Sequence, residues 1–114
     1  MKLPEEAEIL RIFIGESDMH GAVPLYQAIV EKARAEGIAG ATVLRGVLSY
    51  GVHSRIHTAK ILRLSEDLPM VVEIVDAADR IARILPQIDE MVGEGLITLE
   101  KVKVIAYRHG GGKK

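Results

Sequence analysis

Between Gly37 and Ser65 the chain carries no aspartate or glutamate, although its 114 residues include 16 of them. An even spread would place about four in that window. The same window holds Arg45, Arg55, Lys60 and Arg63, with His53 and His57 beside them. Cationic side chains free of neighbouring acids suit the neutralisation of an anion, and glycines let backbone N–H groups approach one closely. Gly46 and Gly51 fit that close approach and Arg55 and Lys60 the neutralisation, so a small anionic ligand is expected here. A blander origin gives the same composition: buried strands exclude acids because burying charge is costly, and an ordinary hairpin loop supplies the rest.

His53 and His57 are four apart, which on a helix would put both imidazoles on one face and within reach of a divalent metal. No Cys, Asp or Glu lies near them to complete a shell, and the segment reads as a loop. Solvated or phosphate-facing histidines are therefore favoured, and the metal pair stays a weak alternative. His20 and His109 would join it only if the fold brought them in. Ser49 and Ser54 sit near histidines in sequence, but no paired carboxylates, Ser-His-Asp set or glycine-rich strand-to-helix loop accompanies them. A non-catalytic protein is expected. With no cysteine, disulfides, thiolate metal sites and cysteine nucleophiles are excluded.

The formal charge of -1 argues against bulk electrostatic binding to nucleic acid or acidic membranes, and one Phe, three Tyr and no Trp leave few rings for stacking on single strands. No apolar run approaches the roughly 20 residues of a membrane helix. The acidic start of the chain, with Glu5, Glu6 and Glu8, is unlike a signal peptide, so a cytoplasmic protein is expected.

The elements that must position these residues follow from pattern. Residues 9–14 are branched and apolar with one arginine, a largely buried strand. A polar, glycine-bounded turn over 15–21 leads to a helix over about 24–36, with Pro24 in its first turn, Leu25, Ile29 and Ala33 on its buried face, and Gly37 as its stop. Residues 41–50 read as a second strand, in which Gly46 marks a bulge or close approach. Residues 52–58 show no period and read as an exposed excursion. Strand character resumes over 59–64 and 70–75, one long strand bent at Pro69. Asp76 is placed as N-cap of a second helix, whose Ile81, Ile84, Leu85, Ile88 and Val92 form a stripe and whose Pro86 should kink it. Gly93, Glu94 and Gly95 stop that helix, and a last strand covers 96–107.

The order is βαββαβ, an α+β, ferredoxin-like sandwich: one antiparallel sheet with two helices on one face. A single domain over residues 1–109 with a flexible basic tail over 110–114 is expected. The sheet's second face has no helix to cover it, and its apolar content predicts self-association.

Three stretches, Ile14-Gly15-Glu16 with Pro24-Leu25-Tyr26 and residues 39–43, then residues 68–75, then Gly93 to Ile97 with 101–108, together resemble the PII signalling superfamily and its uncharacterised PII-like branch. The resemblance covers about residues 9–110. It implies a homotrimer with sheets packed inward and nucleotide sites in the clefts between subunits, the ligand being AMP, ADP or ATP rather than a tightly bound cofactor. It also implies a mobile T-loop after strand two that acts on a target protein, such as a membrane transporter or an enzyme. Position by position, Gly46, Ser49, Tyr50 and Gly51 would form the base of that loop. His53, Ser54, Arg55, Ile56, His57 and Lys60 would form the loop itself. Gly93, Glu94 and Gly95 would be the phosphate-supporting turn and Arg108 the basic end of the last strand. Tyr50 would be a packing or adenine-contacting ring. Leu96 follows the glycine turn directly, without the basic residue of the nitrogen regulators, so a mono- or diphosphate suits this turn as well as a triphosphate. The alternatives are an ion-tolerance trimer of the same architecture that binds metal, and a structural partner of a transporter without ligand.

Overall fold

The computed structural model describes residues 3–50, 56–58 and 68–108, with only the backbone described at 48–50 and 56–58. The elements run β1 (Glu6–Gly15), β2 (Met19–His20), β3 (Val23–Pro24), α1 (Leu25–Ala35), β4 (Gly40–Arg45), β5 (Leu48–Tyr50), β6 (Ile56–Thr58), β7 (Pro69–Asp76), α2 (Ala78–Met91) and β8 (Leu96–Lys103). β4, β7, β1 and β8 form one four-stranded sheet in that order, and every neighbouring pair is antiparallel. This is the expected ferredoxin-like βαββαβ frame. Two small ribbons are added to it, β2 with β3 ahead of α1 and β5 with β6 between β4 and β7.

Alternation in β7 decides the faces. Met70, Val72, Ile74 and Asp76 are buried while the residues between them are half-buried, as the period of two in a strand requires. Leu10, Ile12 and Ile14 of β1 lie on the same side and meet Leu25, Ile29 and Ala33 of α1 and Ile81, Ile84 and Ile88 of α2. Each fully buried Ile or Leu contributes roughly 1.5–3 kcal/mol. Both helical stripes are as the spacing predicts, and α1 ends before Gly37, whose φ of 77° is left-handed.

The second face is banded. The strand register aligns Leu44, Val71, Phe13 and Leu96 in one row across all four strands. The next row is Thr42, Glu73, Arg11 and Thr98. Leu44, Phe13 and Leu96 are all exposed. Among the described residues nothing covers this face, as expected from the element order.

Four expectations are corrected. The strand read over 41–50 is two: β4 stops at Arg45, and β5 pairs with β6 instead of β7. The cause lies at Pro69, which has no N–H to extend the ladder and whose carbonyl accepts the Gly46 N–H at 2.8 Å. Residues 56–58 of the supposed irregular excursion are a strand, with Leu48, Ser49 and Tyr50 opposite Thr58, His57 and Ile56. Period is not readable in three residues, and a two-stranded ribbon needs no apolar alternation. The N-cap of α2 is Ala77, not Asp76. The last strand ends at Lys103, after which the Val104 N–H donates to the Glu5 carbonyl at 2.6 Å and the chain turns across the end of the sheet. Pro86 lies inside a continuous α2 on its exposed side, where water can satisfy the carbonyl its ring leaves unpaired. The strand segment expected over 59–64, Gly51, His53 to Arg55 and the tail lie outside the described residues.

Candidate functional site

β1 and β4 end, and β7 and β8 begin, at one edge of the molecule, so Gly15, Arg45, Pro69 and Leu96 share one end of the sheet. The β5–β6 ribbon springs from this end. Its two feet are tied together: the Gly46 N–H donates to the Pro69 carbonyl at 2.8 Å, and a side chain at Gly46 would put its Cβ 2.7 Å from the Pro69 ring. Gly46 is thus a site of close backbone approach, as its place in the strand suggested.

Glu16 holds both feet. Its N–H donates to the Leu68 carbonyl at 2.8 Å on the returning side, and its carboxylate pairs with the Arg45 guanidinium on the departing side. The turn that carries Glu16 is itself fixed by Asp18, whose carboxylate accepts the Gly15 N–H at 2.9 Å and whose carbonyl accepts the Leu25 N–H at 2.7 Å where α1 begins. The acid-free window is therefore not acid-free in space. One of its cations, Arg45, is met by an acid 29 positions earlier in the chain. Counting charges along the sequence misses this pair, because only the pairing of β7 with both β1 and β4 brings Glu16 and Arg45 to one corner.

The glycine turn after α2 lies at the same end but at the opposite edge. β4 and β8 are separated by β7 and β1, about 14 Å at the usual strand spacing. Gly95 has a φ of 154°, and a Cβ there would lie 2.6 Å from the Phe13 carbonyl oxygen, so packing against β1 alone demands glycine. Gly93 has nothing within 4 Å of where a Cβ would stand, so packing does not account for it. Glu94 is exposed between them.

Arg108 sits at the far end of the sheet. Residues 104–108 run from β8 towards the β4 edge, where the Tyr107 hydroxyl donates to the Ala39 carbonyl at 3.1 Å. That places Arg108 a sheet length, roughly 25 Å, from the glycine turn. The described residues among those singled out for a ligand therefore occupy three corners of one chain: Gly46 and the β5 backbone of Ser49 and Tyr50, then Gly93 to Gly95, then Arg108. Within one chain these described residues do not converge on a single ligand-sized pocket. Arg55, Lys60, His53 and Ser54 lie outside the described residues. Ile56 and His57 are in β6, so the helical spacing that would pair His53 with His57 does not hold at His57. Among the described residues no group of three or more His, Cys, Asp or Glu is arranged to hold a metal ion, and His20 is exposed on β2.

The far end has its own polar lock, which sequence pattern did not reveal. Asp76 is 1% exposed, and its carboxylate accepts the Ala39 N–H at 2.8 Å, the Ala77 N–H at 2.6 Å and the Arg80 Nε–H at 3.0 Å. Arg80 also donates to the Gly37 carbonyl. The lock joins the exit of α1, the end of β7 and the entry of α2, and its polar groups satisfy one another as buried groups must.

Three comparisons bear on the family. The DUF190 model, described as "Uncharacterized ACR", matches residues 7–104. A UPF0166 protein of Aquifex aeolicus is 41% identical over 100 residues, covering 86% of this chain and 92% of that one. A UPF0166 protein of Methanocaldococcus jannaschii is 38% identical over 95 residues, covering 82% and 87%. Among solved structures, a PII-like signalling protein of Thermus thermophilus superposes with a TM-score of 0.62 at 20% identity, over 88% of this chain and 90% of that one. CPII of Thiomonas intermedia, a nitrogen regulatory PII-like protein bound to ADP, AMP and bicarbonate, superposes at 0.61 with 14% identity, over 90% and 91%. The CutA1 divalent ion tolerance protein of Ehrlichia chaffeensis superposes at 0.57 with 10% identity, over 92% and 87%. At such identities these structures establish the fold alone. The chain belongs to the DUF190 family, and it has the PII-like, ferredoxin-like fold.

Proposed function

We propose that this protein is a non-catalytic, cytoplasmic PII-like regulator that assembles as a homotrimer, binds an adenine nucleotide in the clefts between subunits and acts on a target protein through the β5–β6 ribbon. The observation that carries the reading is the corner at which Glu16, Arg45, Gly46 and Pro69 tie both feet of the ribbon to the sheet. A ligand that binds beside this corner can favour one ribbon posture over another, which is what coupling requires. Dispersal of the ligand candidates over three corners supports a site shared between chains, since Arg108 of one copy would have to meet the glycine turn or ribbon base of another. The likeness to CPII, whose structure holds ADP, AMP and bicarbonate, supports a nucleotide as the ligand. Arg55 and Lys60 are the cations assigned to its phosphates.

A thermal-shift series with AMP, ADP, ATP and cyclic nucleotides tests the reading. A ligand that binds only the folded protein adds about 2.7 kcal/mol of stability at a hundred times its dissociation constant. The expected result is a rise with an adenine nucleotide that disappears in Arg55→Ala and Lys60→Ala. No rise with any nucleotide, accompanied by stoichiometric uptake of zinc or copper on dialysis, would replace this function with ion handling.

A further inference from the structure

Arg45 is the cation of the acid-free window that falls among the described residues. It stands opposite Met70 in the β4–β7 register, and Ile14 stands opposite Met70 from the other side. Directly opposed residues share a face, so Arg45 lies on the helix side with Met70 and Ile14. Glu16, two residues past Ile14, meets it there, and the ion pair spans the start of β7. The hold is light. One guanidinium nitrogen, Nη2, donates to Oε2 of Glu16 at 2.5 Å, and the Arg45 and Glu16 side chains are 55% and 30% exposed. Exposed pairs of this kind contribute little to stability, because water screens the attraction and two long side chains must be ordered to make it.

The two partners are anchored unequally. Glu16 is fixed through its backbone, whose N–H donates to the Leu68 carbonyl at 2.8 Å, and that bond does not depend on where its carboxylate points. Arg45 directly precedes Gly46, the departing foot of the ribbon, and its other guanidinium donors meet no group among the described residues. A guanidinium carries five donors in a rigid fork that fits two oxygens of a phosphate at once, whereas Glu16 takes one. A terminal phosphate also brings more negative charge than a carboxylate. A phosphate therefore binds Arg45 better than Glu16 does, and the released carboxylate, already part-exposed, is taken up by water. While the pair is closed, Glu16 sets a like charge where that phosphate would come.

We propose that Arg45 is a phosphate-binding residue at the ribbon base and that Glu16 is its built-in competitor, so that a nucleotide phosphate replaces Glu16 on Arg45. The inference rests on the nucleotide reading above and adds the residue that carries the signal from the phosphate to the departing foot. With Glu16 on Arg45 the two feet are joined through side chains. With phosphate on Arg45 that tie is gone, and the Gly46–Pro69 hydrogen bond remains. Because the two occupants exclude each other, the closed pair weakens nucleotide binding by the same factor as nucleotide weakens the pair.

Isothermal titration calorimetry of the full chain with AMP, ADP, ATP and adenosine tests it, with circular dichroism to verify folding. Glu16→Gln removes the competing charge but keeps an acceptor for Arg45. It should bind the preferred phosphorylated nucleotide at least threefold more tightly and leave any binding of adenosine unchanged. Arg45→Gln should weaken the same nucleotide at least tenfold, again without effect on adenosine. Opposite signs in the two variants are the signature of competition, since a merely structural tie would shift both the same way. If Glu16→Gln binds no more tightly than the unaltered chain, or Arg45→Gln binds as tightly, the inference is overturned and the nucleotide reading stands. If neither the unaltered chain nor Glu16→Gln binds any of the nucleotides, the nucleotide reading itself fails and the inference with it.

Discussion

The same four strands present two faces that differ in what covers them. On the helix side Leu10, Ile12, Val72 and Ile74 are fully excluded from water by α1 and α2, and polar chemistry is confined to the Asp76 lock at one end. On the open side Phe13, Leu44 and Leu96 remain exposed and the middle is given to Arg11, Glu73 and Glu100. The covered face sets the stability of a single chain. The open face leaves Phe13, Leu44 and Leu96 partly in water and so adds less to that stability.

The comparison can be broken at its strongest point first. Ile74→Ala, at a fully buried position between sheet and helices, should lower unfolding free energy by about 2–5 kcal/mol in chemical denaturation. A loss below about 1 kcal/mol would mean the core lies elsewhere. Asp76→Ala should cost about 2–4 kcal/mol, since it leaves the Ala39 and Ala77 N–H groups and the Arg80 Nε–H without their acceptor. Hydrogen exchange should rise at Ala39 and Ala77 before it rises in the sheet centre. Gly95→Ala should cost about 1–3 kcal/mol, because its Cβ would collide with the Phe13 carbonyl and its φ suits glycine. Gly93→Ala should change stability by less than about 0.5 kcal/mol, so any loss of nucleotide response in that variant would identify a ligand-facing role for the turn. On the open face, Thr98→Ala should alter the stability of a single chain by about 0.5 kcal/mol or less. A larger loss there, dependent on protein concentration, would show that the open face already contributes to folding through assembly.

Much of the fold is legible because its signals are local. The stripe of Ile81, Ile84 and Ile88 and the alternation of residues 70–75 need only helical and strand periods to be read. Gly37 and Gly95 announce the ends of connections because left-handed or crowded backbone admits few other residues. The ribbon was harder. β5 and β6 are three residues each, too short for a period, and what ends β4 ahead of β5 is the missing N–H of Pro69, 23 positions from Gly46 in the chain. The site was partly legible: Gly46 and Pro69 mark the corner in the sequence, but Glu16 looked like one more polar turn residue until the sheet brought it to Arg45.

What the sequence by itself determined is the order and type of the elements, the face each helix buries and the existence of a second apolar face, since all of these follow from residue types at fixed local spacing. Tertiary structure decided which charges neutralise one another. Arg11 meets Glu73 and Glu100 across 62 and 89 positions, Arg45 meets Glu16, and Asp76 meets Ala39. These contacts depend on strand order and register, which no local pattern encodes. It also set the described ligand candidates at three corners of the chain, because the order β4-β7-β1-β8 puts Gly46 and the glycine turn on opposite edges and antiparallel pairing sends Arg108 to the far end.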